Sequence, residues 1–130
     1  MLTIKNSEVY SQVLIRISMS LVFLWFGINQ LINSEDFLGY LPDFLLVSTF
    51  SENFIIFNGI FELILSILLL IGLFTRFASF FLAIHLLGII ISLGYNDIAI
   101  RDLGLMLVTF SIFLRGSDNW SLDKWRKNEK

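Results

Sequence analysis

Glu62 and His85 are the residues of this chain best suited to acid–base chemistry. Glu62 is the only ionisable residue between Phe54 and Phe74, an apolar run of about 20 residues that matches a bilayer's hydrocarbon core. It lies roughly 13 Å in from Asn53, close to mid-membrane. His85, the only histidine, lies roughly 12 Å in from the opposite end of the next apolar run. The two levels therefore differ by about 5 Å in a core of about 30 Å. A carboxylate at that depth costs about 3 kcal/mol or more unless it is protonated or paired. An imidazole can exchange a proton with it, so Glu62 and His85 are the candidate catalytic pair. Asn58 sits one turn from Glu62 at i, i+4. Gln30, Arg101 and Asp102 are expected with Asn58 at the outer mouth of the same interior, as candidate substrate-binding residues, with Arg101 attracting an anion.

The elements that must position these residues follow from composition. The chain has 130 residues, of which 56% are hydrophobic and 15% charged, with a mean hydropathy of +0.80. Soluble domains carry about a quarter charged residues, so the class is an integral membrane protein. No basic tract suggests nucleic acid. With no cysteine, thiolate chemistry, disulfides and iron–sulfur clusters are excluded. A redox role then needs a bound cofactor or substrate to carry electrons. One histidine and scattered carboxylates lack the ligand spacing of a metal site.

Residues 1–12 read as a polar lead. Residues 13–114 read as a transmembrane domain with helices at about 13–32, 54–74, 77–93 and 98–114, and residues 115–130 as a polar tail. Asn29-Gln30 follows the first apolar run where a signal peptide would have a cleavage site, so that run reads as a retained helix. Between helices 1 and 2, Ser34 followed by acids looks like a helix N-cap, and Pro42 fits the first turn of a second short helix. A short helical or re-entrant segment is expected there, with a plain loop as the alternative. Short connections between neighbours give an all-α, up-down-up-down four-helix bundle.

Basic residues set the orientation. Lys5, Arg16, Arg76, Arg115, Lys124, Arg126, Lys127 and Lys130 fall on one side. Glu35, Asp36, Asp43, Glu52, Asp97 and Asp102 fall on the other, with Arg101 as its lone cation. Both termini are expected in the cytoplasm of a plasma-membrane protein. Arg16 is expected to snorkel to headgroups, and Arg76 is a positive-inside signal.

Each helix gathers small and polar residues on one face. These are Arg16, Ser20, Phe23, Gly27 and Gln30 on helix 1, and Gly59, Glu62 and Ser66 on helix 2. Helix 3 has Ala78, Phe81, His85, Gly88 and Ser92, and helix 4 has Asp102, Leu105 and Thr109. Bland readings stand beside the functional ones. Glu62–His85 could serve only as a hydrogen bond fixing helix register. Arg101–Asp102 could be an interfacial ion pair, and Asn58 a packing contact.

The runs Leu24-Trp-Phe-Gly-Ile-Asn-Gln-Leu31, Phe57-Asn-Gly-Ile-Phe-Glu-Leu63 through Gly72-Leu-Phe-Thr-Arg76, Ile84-His85 and Ile100-Arg-Asp-Leu-Gly104 resemble the DoxX family of small membrane proteins. Many of its members carry a basic residue where this chain has Gln30. The resemblance implies a four-helix membrane protein. Some relatives form part of a thiosulfate:quinone oxidoreductase or associate with redox proteins, and others act as membrane chaperones. It thus implies a membrane subunit of a quinone- or small-molecule-linked redox system. No covalent cofactor is expected, and a quinone or quinol is the candidate ligand. Expected partners are the lipid bilayer and a redox protein or further copies of the chain. The competing readings are a non-catalytic scaffold or chaperone and a small proton-coupled transporter.

Overall fold

The computed structural model describes residues 3–46 and 48–129; Met1, Leu2, Val47 and Lys130, the last of them one of the tail cations, lie outside the described residues. The chain forms five α-helices and two 3₁₀ helices, with no strand among the described residues. The α-helices are α1 (Ile4–Ile32), α2 (Ser48–Ile71), α3 (Thr75–Leu93), α4 (Asp97–Arg115) and α5 (Leu122–Asn128). The 3₁₀ helices, Ser34–Tyr40 and Asp43–Leu45, fill the connection between α1 and α2.

Among the described residues three helices are long and apolar enough to cross a membrane: α1, α2 from Phe50, and α3. α4 carries Asp97, Arg101, Asp102 and Arg115, so every 18-residue window in it holds three charges. α1 packs along α2, and α3 along α4; the two pairs meet chiefly through α2 and α3. One core cluster joins all four: Met19 and Phe23, Leu65 and Leu69, Ala78, Leu82 and Leu86, and Ile112. Large apolar side chains such as Leu21, Phe57, Ile64, Ile91 and Leu107 face outward, where lipid rather than water suits them.

α1 begins at Ile4, well ahead of the apolar run at Val13. Its first turns are polar but contain no glycine or proline, so nothing stops the helix from extending. Its inward row is Arg16, Ser20, Phe23, Gly27 and Gln30, all buried. In the connection, Ser34 is the first helical residue rather than the cap, and Asn33 is the cap. Ser92 Oγ donates to the Tyr40 carbonyl at 3.0 Å and Ser51 Oγ to that of Leu45 at 2.9 Å, tying both 3₁₀ helices down.

Two glycines set how closely α1 and α2 approach. A Cβ on Gly27 would meet the Leu63 backbone nitrogen at 3.0 Å, and one on Gly59 would meet the Gly27 carbonyl oxygen at 3.1 Å. Backbone on both sides cannot yield as a flexible side chain would. Gly59→Val should lower stability in detergent by about 2 kcal/mol, read as a fall in melting temperature. Gly104→Ala is the control, because a Cβ there meets nothing within 4 Å. Equal melting of the two variants would contradict a close helix crossing.

The tail is a docked part of the fold. Arg16 does not snorkel: it is 2% exposed, and its Nε donates to Asp118 Oδ2 at 2.5 Å. Its Nη1 donates to the Leu69 carbonyl at 2.9 Å and to that of Leu70. The reason is position: Asp118 and the carbonyls of the last turn of α2 surround the guanidinium and satisfy it within the protein. α2 ends at Gly72, whose φ of 74° supports a Schellman turn with bonds from Leu73 N to Leu68 O and from Gly72 N to Leu69 O. Phe74 follows with φ 51°, and Asp123 accepts from the Phe74 and Thr75 amides, each at 2.8 Å.

Burial pushes the Asp123 carboxyl up, but the Thr75 and Phe74 amides and Arg126 outweigh it and hold it below its ordinary value of 3.8. A lowered folded pKa gives stability that is complete above the ordinary value and is lost as pH falls through the folded one. Asp123→Asn should cost about 1 kcal/mol at pH 7. The gap in melting temperature should narrow on acidification below pH 3.8. A gap unchanged at low pH would mean the carboxylate charge does not matter.

Candidate functional site

Glu62 is 2% exposed on the inner face of α2. Its Oε1 lies 3.0 Å from His85 Nε2 on α3, and its Oε2 accepts a hydrogen bond from Gln30 Nε2 on α1. The close approach at Gly59 makes the second contact possible, since the space a Cβ would take there is held by the Gln30 stem, 3.0 Å away. Asn58 Nδ2 donates to Gln30 Oε1 at 3.4 Å and lies 3.3 Å from His85 Nε2. Four side chains from three helices therefore form one connected network.

The network brings a carboxyl, an imidazole and two amides into mutual contact in an apolar setting, so each polar group there meets a partner within the protein.

Above the network lies a cavity of about 310 Å³ lined by Gln30, Asn58, Glu62, His85 and Asp102 together with many apolar side chains. Phe23, Phe26, Phe54 and Leu105 form walls, and Tyr40, Leu41, Pro42 and Leu45 of the connection contribute the opposite side. The Phe61 ring lies 5.8 Å from that of His85. Such a space, apolar with a few convergent polar groups, is the common form of a small-molecule site.

Five of the six candidate site residues line this cavity; Arg101 does not. Asp102 is buried, at 3% exposed, whereas the Arg101 side chain is half exposed and donates from Nε and Nη2 to Asp102 Oδ1 at 3.0 and 2.9 Å. Arg101 instead borders a separate depression with Trp25, Asn29, Asp36 and Tyr40, its guanidinium 5.9 Å from the Phe26 ring centre. Phe26, Phe37 and Tyr40 line both spaces. Consecutive helical residues point about 100° apart, so only one of the two can face inward. Tyr40 and Ser92 also line the cavity and were not legible as site residues; their one signal is an aromatic among turn residues and a serine on the inward row of α3.

Long apolar helices that meet around a buried acid–imidazole pair define a helical membrane protein. A family model described as DoxX matches residues 11–94, and the chain belongs to the DoxX family. The match takes in Gln30, Asn58, Glu62 and His85 and ends before Arg101 and Asp102. No curated protein and no solved structure matches the chain.

Proposed function

We propose that this DoxX-family protein crosses the plasma membrane four times, up-down-up-down, and binds a quinone or a similar small redox molecule in the cavity over Glu62 and His85. α4 is the fourth span: Asp97 and Arg115 sit at its ends, and one turn in the buried Asp102 is paired with Arg101, whose half-exposed side chain reaches toward the boundary. The basic end, holding both termini, faces the cytoplasm. The observation that carries the reading is the 3.0 Å contact between Glu62 and His85 at the base of a mainly apolar cavity.

A flat ring entering the cavity would lie among phenylalanines with a carbonyl oxygen toward Glu62. Reducing a quinone to a quinol consumes two electrons and two protons. This chain holds no thiol, so the electrons come from a redox partner protein. Glu62 delivers one proton to a quinone oxygen and is reprotonated through His85 from water at the cavity mouth, and a second pass of the same relay supplies the second proton. Asn58 and Gln30 hold the pair in register, and Asp102 provides a further acceptor beside the cavity.

The test is titration of the purified protein with a short-chain quinone, followed by intrinsic fluorescence or calorimetry. Saturable binding on the order of 10 μM is expected. No saturable binding, or binding unchanged when the cavity is narrowed by Gly88→Leu, would overturn the reading. One observation favours a second reading, a scaffold in which the pair only fixes helix register. Both Glu62 oxygens already have partners within the protein.

A further inference from the structure

At the other end of the helices, α3 begins, α4 ends and α5 folds back around a cleft of about 590 Å³. Four cations line it: Arg76, Arg115, Arg126 and Lys127. None of the four forms an ion pair among the described residues. Asp123 is the one acid in the cleft, and its two oxygens are engaged by the Phe74 and Thr75 amides. Among the described residues the cleft therefore sets four cations against a single carboxylate and keeps an excess of positive charge.

Its construction holds the cations in place. Gly116, with φ 85°, leaves room for the Arg76 guanidinium: a Cβ there would come within 2.7 Å of Arg76 Nε. The Arg126 guanidinium stands 5.8 Å over the Phe74 ring. Phe74 and Phe77, both 55% exposed, line the same cleft where α2 gives way to α3. An apolar flank against a cationic cleft at the end of the spans matches one chemistry: a phosphate ester with acyl chains below it. Guanidinium groups bind phosphate oxygens in pairs, and basic clusters beside spans attract anionic lipid.

We infer that this cleft is a binding site for the headgroup of an anionic phospholipid, with the phosphodiester between Arg76, Arg115, Arg126 and Lys127 and the acyl chains along Phe74 and Phe77. The inference is independent of what the cavity at Glu62 binds.

Native mass spectrometry of the protein in a neutral detergent tests it, with phosphatidylglycerol, phosphatidylcholine of the same acyl chains and inorganic phosphate as probes. Phosphatidylglycerol should bind at least about tenfold tighter than phosphatidylcholine, and the double variant Arg126→Gln/Lys127→Gln should lose about thirtyfold of that affinity. Lys5→Gln/Lys124→Gln, which removes as many charges from the same end, should lose less than about threefold. If the first double variant misfolds, Lys127→Gln alone should lose about fivefold. Equal binding of the two lipids, or equal losses in both double variants, would overturn the site. Inorganic phosphate binding as tightly as the lipid would overturn the assignment to a headgroup.

Discussion

Arg16→Ala should be among the most destabilising single substitutions in this chain, costing about 3–5 kcal/mol. The reason is what it leaves behind. Asp118 is 4% exposed and would keep a buried charge without its partner. The Leu70 carbonyl at the end of α2 would lose the donor it has now. Asp118→Ala should cost nearly as much, because the guanidinium would then be buried with only backbone carbonyls to bind. Arg16→Lys should recover part of the loss, since an ammonium offers charge without the planar fork that reaches carboxylate and carbonyl together. The double variant Arg16→Met/Asp118→Leu should be more stable than either single alanine variant. Thermal melts in detergent, run as a double-mutant cycle, read the coupling. Limited proteolysis gives a second readout: in Arg16→Ala, cleavage between Gly116 and Ser121 should become much faster. Melting of Arg16→Ala within a degree of the parent, with the tail still protected, would show that the tail does not depend on this pair.

This pair also shows where sequence reading stops. The inward row of α1 was legible because helical periodicity alone groups Arg16 with Ser20, Phe23, Gly27 and Gln30. Arg16 was nonetheless expected to snorkel, because its place near the start of the apolar run puts headgroups within reach of a long side chain. The partner, however, lies 102 residues away in a stretch whose polarity reads as a solvated tail. Long-range pairing leaves no local pattern. The Glu62–His85 contact was within reach because depth along two apolar runs can be counted from their ends. The contact of Gln30 with Glu62 was not, since it depends on how closely Gly27 and Gly59 let two backbones approach. Gln30 was therefore expected nearer the mouth than it lies. Arg101 was grouped with Asp102 by adjacency, although neighbours on a helix diverge. The 3₁₀ connection was legible as structured from Pro42 and its aromatics, but not as a wall of the cavity.

Glu62→Gln should separate chemistry from architecture at the centre of the protein. The amide is close to isosteric. Its oxygen can accept from Gln30 Nε2 while its nitrogen can donate to His85 Nε2, so every partner in the network can stay satisfied. Stability should change by less than about 1 kcal/mol. What disappears is the exchangeable proton. Affinity for a quinone probe should fall at least about tenfold, and quinone turnover with a redox partner about a hundredfold, the scale of a lost general acid. Glu62→Leu should behave differently. It strands the Gln30 amide and the His85 nitrogen in a buried setting, and should cost about 2–3 kcal/mol. Its loss of binding would be confounded by that loss of stability. The informative measurement is therefore the Gln variant, with melting temperature and quinone affinity taken on the same preparation. A stable protein with weakened binding supports proton exchange at Glu62. A destabilised protein with unchanged binding would instead assign the pair to holding α1, α2 and α3 in register.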